Sequence, residues 1–170
     1  MSNYKTVTLK GNPVTLIGQE LKVGDRAPAF KAVAQDLSTV EYTEFKDKVF
    51  VLSAVPSLDT EVCDRETRTF NQEAAKLSPD IEIVTISMDL PFAQQRWCGA
   101  TGVDKVKVIS DHRDADFGNK HGVLIKELRL LARAVFVVDK EGIIRYIEVV
   151  PEIAEEPNYS AILATAQSLV

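Results

Sequence analysis

The chain has 170 residues, of which 45% are apolar and 26% charged, enough to build one continuous core without metal or disulfide staples, so a single domain over residues 1–170 is expected. Its formal net charge of −5 and its interspersed basic residues exclude a phosphate-tracking surface, and nucleic acid is not an expected partner. No apolar run approaches the roughly 18 residues of a membrane span, and Met1 to Lys10 lacks the basic and apolar regions of a signal peptide, so the expectation is a cytoplasmic protein with no membrane partner.

The first element is a hairpin. Thr6 to Leu9 leads into Gly11-Asn12-Pro13, and Val14 to Ile17 leads out. Gly24 to Pro28 is a loop. Val49 to Val55 is an apolar, β-branched run that suits a buried strand, and Pro56 ends it. A helix is expected from about Glu61 to Leu77, because Phe70, Ala74 and Leu77 share one face. Ile81 to Ser87 is a second buried strand, Pro91 to Gly99 a short helix, and Val106 to Ile109 a short strand. The polar stretch Asp111 to Gly118 opens onto a turn or helix. Arg133 to Val138 is a third strong strand, joined through Asp139-Lys140-Glu141-Gly142 to a hairpin partner over Ile143 to Val150. Asn158 to Val170 closes the chain as a helix with Tyr159, Ile162, Leu163 and Ala166 on one side. The pattern specifies an α/β domain with a mixed central sheet and no repeat or linker.

The chemistry concentrates around Cys63. The segment Val55 to Cys63 joins a buried strand to a helix, and active sites of α/β sheets gather where strands end. With Thr60 as N-cap, Cys63 falls in the first helical turn. Unpaired backbone N–H groups and the positive end of the helix dipole lie there. Such surroundings lower a thiol pKa from about 8.5 to roughly 3.5–7.5, and the thiolate is the nucleophile. A Thr60 hydroxyl can donate to the thiolate or to a bound oxygen, and Pro56 fixes the turn and shields it. The competing reading is that each cysteine merely fills space in the core, as free cysteines often do.

The motif Pro56-x-x-x-Thr60-x-x-Cys63 resembles the signature of the peroxiredoxins, and the string from Val55 to Cys63 is similar to their bacterial thiol peroxidase branch, of the atypical two-cysteine type. The resemblance continues through Thr85-Ile-Ser, Asp89-Leu-Pro-Phe-Ala-Gln, Arg96-Trp97-Cys98, Ser110-Asp-His-Arg-Asp114 and Glu127 to Arg133, nearly the whole chain. It implies a thioredoxin-like fold with an N-terminal β-hairpin, and a homodimer. It also implies a thiol-dependent peroxidase without a cofactor. Cys63 would be the peroxidatic cysteine, Cys98 the resolving one, Thr60 and Arg133 the polar active-site pair, and Pro56 the shielding proline. Hydrogen peroxide and organic hydroperoxides would be the substrates, and thioredoxin the reductant. Glu61 departs from relatives that carry an uncharged residue there. A carboxylate beside the site raises a nearby thiol pKa unless it points to solvent.

The resemblance further implies a chemical sequence. The thiolate displaces on the O–O bond to give a sulfenic acid, which condenses with the second thiol to a disulfide. A fixed cation aimed at the leaving oxygen lowers the barrier, and Arg133 suits that role because it stays charged. A disulfide needs Cα atoms within about 4.4–6.8 Å, so the first turn after Thr60 and the segment around Cys98 are expected to shift to meet. Without the resemblance, Arg133 reads first as an ordinary ion-paired arginine. Cys63, Cys98, His112 and His121 lack close paired spacing, so no metal site is expected. A dithiol reductase would place a cysteine three positions from Cys63, where Thr60 and Glu66 stand instead. No Gly-rich phosphate loop is present. The rival from another class is a non-catalytic interaction or chaperone-like domain on the same fold. Apolar residues of the Leu124 to Leu131 region are candidates either for a dimer interface or for the core.

Overall fold

The computed structural model describes residues 5–43 and 45–170. The hairpin forms as the pattern predicts, from β1 (Lys5–Leu9) and β2 (Asn12–Ile17), paired antiparallel. Its turn, however, is Lys10-Gly11, with φ of 50° and 82°. Two successive positive φ values match the right-handed twist of the flanking strands. Asn12 and Pro13 therefore open the second strand instead of making the turn.

The central sheet has seven strands. An antiparallel pair, β3 (Phe30–Val33) and β4 (Thr39–Tyr42), borders its parallel middle of β5 (Val49–Ala54), β6 (Ile81–Ser87) and β7 (Lys107–Ser110). Small two-residue strands β8 (Leu124–Ile125) and β9 (Leu130–Leu131) extend the hairpin sheet in the order β1-β2-β8-β9. Strands β10 (Ala134–Val138) and β11 (Ile144–Val149) continue the large sheet antiparallel beyond β5, giving the order β11-β10-β5-β6-β7-β3-β4. Parallel neighbours need a crossover, and α1 (Glu61–Ala74) and α2 (Pro91–Thr101) supply the two between β5, β6 and β7. The remaining helices are α3 (Asp116–His121) and α4 (Tyr159–Ser168).

Period-two alternation divides the core between the faces of this sheet. Val49, Val51, Ile83, Val135 and Val137 face Cys63 and Phe70 of α1, Trp97 of α2, and Ile162 and Ala166 of α4. Phe50, Leu52, Val84, Ile86, Ala134 and Phe136 face the hairpin sheet, Phe30 and Phe117. Strands β5 and β10 are buried along their whole length, which is why they read as uninterrupted apolar runs. Phe70 is fully buried and edge-on to Tyr159, with ring centroids 5.4 Å apart. A phenylalanine so placed contributes on the order of 3–5 kcal/mol.

Several boundaries differ from the sequence reading. Helix α1 ends at Ala74, while Leu77 lies beyond it and still packs on the same cluster. Helix α2 runs on to Thr101 and stops at Gly102, whose φ of 72° turns its N–H back to the Cys98 carbonyl. Strand β10 starts at Ala134, one residue after Arg133. Leu124, Ile125 and Leu131 are core residues, and Leu128 is the exposed apolar side chain of that stretch. Among the described residues no helix is long and apolar enough to cross a membrane.

His121 closes α3 against the core. Its ring stacks on Phe117 at 3.9 Å and meets Phe30 and Phe136 edge-on. Nδ1 lies 2.9 Å from the Phe117 carbonyl, so it carries the proton as donor. Burial pushes the imidazole down to about 4, against the pull of that hydrogen bond. The ring therefore stays neutral through pH 5. A depressed histidine stabilises the fold above its unfolded value near 6.5, and this contribution is lost as pH falls from there towards 4. Two-dimensional ¹⁵N–¹H spectra of the imidazole are expected to show an Nδ1–H tautomer that begins to titrate only below pH 5. Titration near 6.5 would contradict the packing.

Candidate active site

The strand-to-helix junction between β5 and α1 is held from both sides. Val55 donates its N–H to Ile86 at 3.0 Å, which continues the β5–β6 ladder by one residue. Asp89, just before α2, then fastens the loop: it accepts from Ser57 Oγ at 2.6 Å, from the Leu58 N–H at 2.8 Å and from Ser87 Oγ at 2.7 Å. Pro56 and Leu58 are buried within this loop. Thr60 is the N-cap, with extended backbone, and its Oγ1 accepts the Cys63 N–H at 3.3 Å. The Thr60 hydroxyl proton goes to the Ser57 carbonyl at 3.0 Å. The hydroxyl expected to donate to the thiolate thus serves here as the cap of the helix.

Cys63 faces inward on the stripe Cys63, Glu66, Thr67, Phe70 of α1 and is fully buried. Its Sγ accepts from Arg133 Nη2 at 3.3 Å. Arg133 enters from the start of β10 and is 1% exposed, so it is not the solvated ion pair that base rates suggest. Each of its other two nitrogens also has a partner, with Nη1 meeting Glu66 Oε2 at 2.6 Å and Nε donating to the Ile153 carbonyl at 2.7 Å, which leaves two of the five N–H donors for a ligand. Glu66 is itself anchored by Ser53 Oγ at 3.0 Å. Burial works against the charge on Arg133, but Glu66 and Cys63 outweigh it and hold the guanidinium above its ordinary range. Burial pushes the Glu66 carboxyl up to about 6, while Arg133 and Ser53 pull it down. At neutral pH the result is an ionised carboxylate gripping a cation beside the thiol.

A cavity of about 400 Å³ opens onto this arrangement, lined by Pro56, Thr60, Val62, Leu130, Arg133 and Ile153 and rimmed by Leu9 and Lys10 of the hairpin. Arg133 touches both the cavity and the sulfur, so a small ligand entering here meets the cation and the capping hydroxyl. Glu61 points to solvent, with its side chain 90% exposed and 3.5 Å from Arg65. It nevertheless lines the outer part of the same cavity, beside Thr60.

The structure brings Pro56, Thr60, Cys63 and Arg133 together and leaves Cys98 apart. Cys98 is half-buried near the end of α2, and both thiols are free. Its Sγ accepts from Gln35 Nε2 at 3.5 Å and lines a different cavity, of about 550 Å³, with Ala34, Val40 and Val103. Burial pushes the Cys98 thiol up, with Gln35 opposing. Sequence reasoning missed Glu66, Ser53, Asp89 and the Ile153 carbonyl. Glu66 carried a signal: it lies three residues after Cys63 on the inward stripe, where a carboxylate requires a buried partner. Asp89 lay within the quoted motif without a role.

Residues 22–163 match the family model described as Redoxin. A thiol peroxidase of Oceanobacillus iheyensis is 57% identical over 164 residues, covering 96% of this chain and 98% of that protein. One from Bacillus subtilis is 55% identical with the same coverage. The chain belongs to the thiol peroxidase family of the redoxins. Its fold is the family's thioredoxin-like one: a peroxiredoxin-like protein from Aquifex aeolicus superimposes with a TM-score of 0.92 at 48% identity, covering 98% of this chain and 99% of that one. A thiol peroxidase from Chromobacterium violaceum shares the fold at a TM-score of 0.84 and 19% identity, covering 96% and 95%. In this thiol peroxidase family member the Redoxin match takes in both cysteines, Glu66 and Arg133 but begins after the hairpin, whose tip nevertheless rims the cavity.

Proposed function

We propose that the chain reduces hydrogen peroxide and organic hydroperoxides, with Cys63 as the attacking thiolate. The observation that carries this reading is the Arg133 guanidinium, which lines the cavity and lies 3.3 Å from the buried Cys63 sulfur. The thiolate attacks one peroxide oxygen, the O–O bond breaks, and the other oxygen takes a proton and leaves as water or an alcohol. Negative charge moves from sulfur onto that leaving oxygen, and Arg133 faces both ends of the displacement. Thr60 turns its hydroxyl from Ser57 to the incoming oxygen, and Pro56 keeps water off the sulfur. Glu66, Ser53 and Ile153 hold the guanidinium in place, so it need not reorganise as charge develops.

Cys98 then resolves the sulfenic acid to an intramolecular disulfide. This requires local opening, because Cys63 is fully buried beside Arg133 while Cys98 lines a separate cavity, and the last turn of a helix opens at low cost. Thioredoxin reduces the disulfide, which suits a protein working in the reducing cytoplasm. A homodimer is the expected assembly, with Leu128 and its neighbours as candidate contacts. The test is the intact mass of reduced protein before and after one equivalent of hydrogen peroxide, with peptide mapping. Rapid loss of two hydrogens and a Cys63–Cys98 crosslink are expected. Oxygen added at Cys63 without a crosslink would remove Cys98 from the scheme, and no change would overturn the peroxidase reading.

A further inference from the structure

We propose that the hydrogen bond from Trp97 to Asp64 is a latch that governs how fast Cys98 reaches oxidised Cys63. The inference rests on the roles just assigned to the two cysteines and makes Trp97 a positioning residue for the resolving step. Trp97 Nε1 donates to Asp64 Oδ1 at 3.0 Å. Asp64 is the chain neighbour of Cys63, and Trp97 is the chain neighbour of Cys98. One bond therefore ties the two turns that must move relative to each other.

Its place along α2 makes it the last fastener. Gln94 is fully buried and donates to Ser87 Oγ at 3.1 Å and to the Ile109 carbonyl at 2.8 Å, which fixes the middle of the helix. Trp97 is the last buried side chain of α2. Beyond it Gly99, Ala100 and Gly102 are exposed, and the final turn is held by Thr101 Oγ1 on the Trp97 carbonyl and by the Gly102 N–H on the Cys98 carbonyl. Cys98 thus sits one residue past the final anchor. On the α1 side Asp64 is oriented by Arg68, whose Nε donates to Oδ2 at 2.9 Å, so its other oxygen faces the indole. Cys98 must leave Gln35 and swing towards Cys63, and it cannot do so while the preceding indole is fastened to the turn that carries Cys63.

The step thereby gated is balanced. The Cys98 sulfur attacks the sulfur of Cys63–SOH, the S–O bond breaks as the S–S bond forms, and the oxygen leaves as water with the Cys98 proton. Before the latch opens, the sulfenic acid remains exposed to a second peroxide, which oxidises it to the sulfinic acid. The latch therefore sets the partition between recycling and irreversible oxidation.

The test is Trp97→Phe, which removes the donor along with part of the ring volume, together with Asp64→Asn, which leaves the packing intact and keeps an acceptor of lower strength. Full-length reduced protein is mixed with hydrogen peroxide, quenched on a millisecond scale and analysed by mass. A hydrogen bond to a charged acceptor is strong enough that its loss is expected to speed disulfide formation about tenfold in Trp97→Phe. Asp64→Asn falls between it and the parent. Sulfenic acid forms at the parental rate in both, and sulfinic acid at excess peroxide drops in proportion. Disulfide formation at the parental rate or slower, from sulfenic acid formed normally, would overturn the latch. Loss of sulfenic acid formation in Trp97→Phe with a lowered unfolding midpoint would likewise overturn it, by showing a merely structural role. Failure of the parent protein itself to form sulfenic acid at Cys63 is a distinct result, and it would remove the reading on which the latch rests.

Discussion

Arg133→Met is expected to slow oxidation of Cys63 by peroxide about 10²–10³-fold, the usual cost of losing one preorganised donor to developing negative charge. It is also expected to destabilise the protein, because Glu66 is left as an unpaired buried carboxylate. Breaking one side of such a pair costs about 3–5 kcal/mol, and for a chain of this size each kcal/mol lowers the melting temperature by roughly 2–4 °C. These effects separate cleanly. A buried ion pair replaced on both sides by apolar residues is often neutral or stabilising, so Arg133→Met with Glu66→Leu recovers the melting temperature and stays slow. Stopped-flow oxidation and thermal unfolding of both variants check this. A double variant that is stable and fast would show that the guanidinium acts only as a strut.

Substituting the cysteines gives an asymmetric result. Cys63→Ser is expected to abolish rapid peroxide consumption altogether, because a serine hydroxyl is not ionised at neutral pH and is a far weaker nucleophile than a thiolate. Cys98→Ser leaves the first oxidation at its full rate, consumes about one equivalent, and then stops with sulfenic acid at Cys63. With excess peroxide that product proceeds to the sulfinic acid, which thiols do not reduce. Single-turnover measurement without added thiol distinguishes them, because an added dithiol can itself reduce the sulfenic acid of Cys98→Ser. The opposite pattern, with Cys98→Ser silent from the first equivalent, would exchange the two roles.

The parts of the fold that the sequence makes legible are those whose burial is extreme. Strands β5 and β10 are almost wholly apolar runs because both faces are covered, and Phe70 and Ala74 keep helical spacing because one face of α1 packs on the core. Strands β3 and β4 escaped because they are four residues each, β4 at the sheet edge and β3 next to it, with Lys31, Thr39 and Glu41 facing solvent. Strands β8 and β9 have two residues each and exist only through pairing with β2 and each other, which no local pattern encodes. The same division holds at the site. Pro56, Thr60 and Cys63 are local in sequence and were readable from the junction they form. Arg133 was identified through family resemblance, and Glu66, Ser53 and Ile153 went unassigned because their roles arise only when β5, α1, β10 and the loop after β11 come together.

That last dependence has a consequence for the order in which the protein takes shape during synthesis. The Ile153 carbonyl that holds Arg133 is positioned by its own N–H on the Thr8 carbonyl at 2.8 Å, and Thr8 in turn donates to Pro151 at 2.8 Å. The adjoining Glu152 carboxylate accepts the N–H of Gly11 at 2.7 Å. The earliest strand of the chain and one of its last loops therefore close around the guanidinium together. Cys63 leaves the ribosome long before either its cation or that cation's anchor, and contacts so distant in sequence form late. A nascent chain halted before Arg133 carries Cys63 without its guanidinium neighbour, and the arrangement around the sulfur is complete only when the hairpin and the loop after β11 have met.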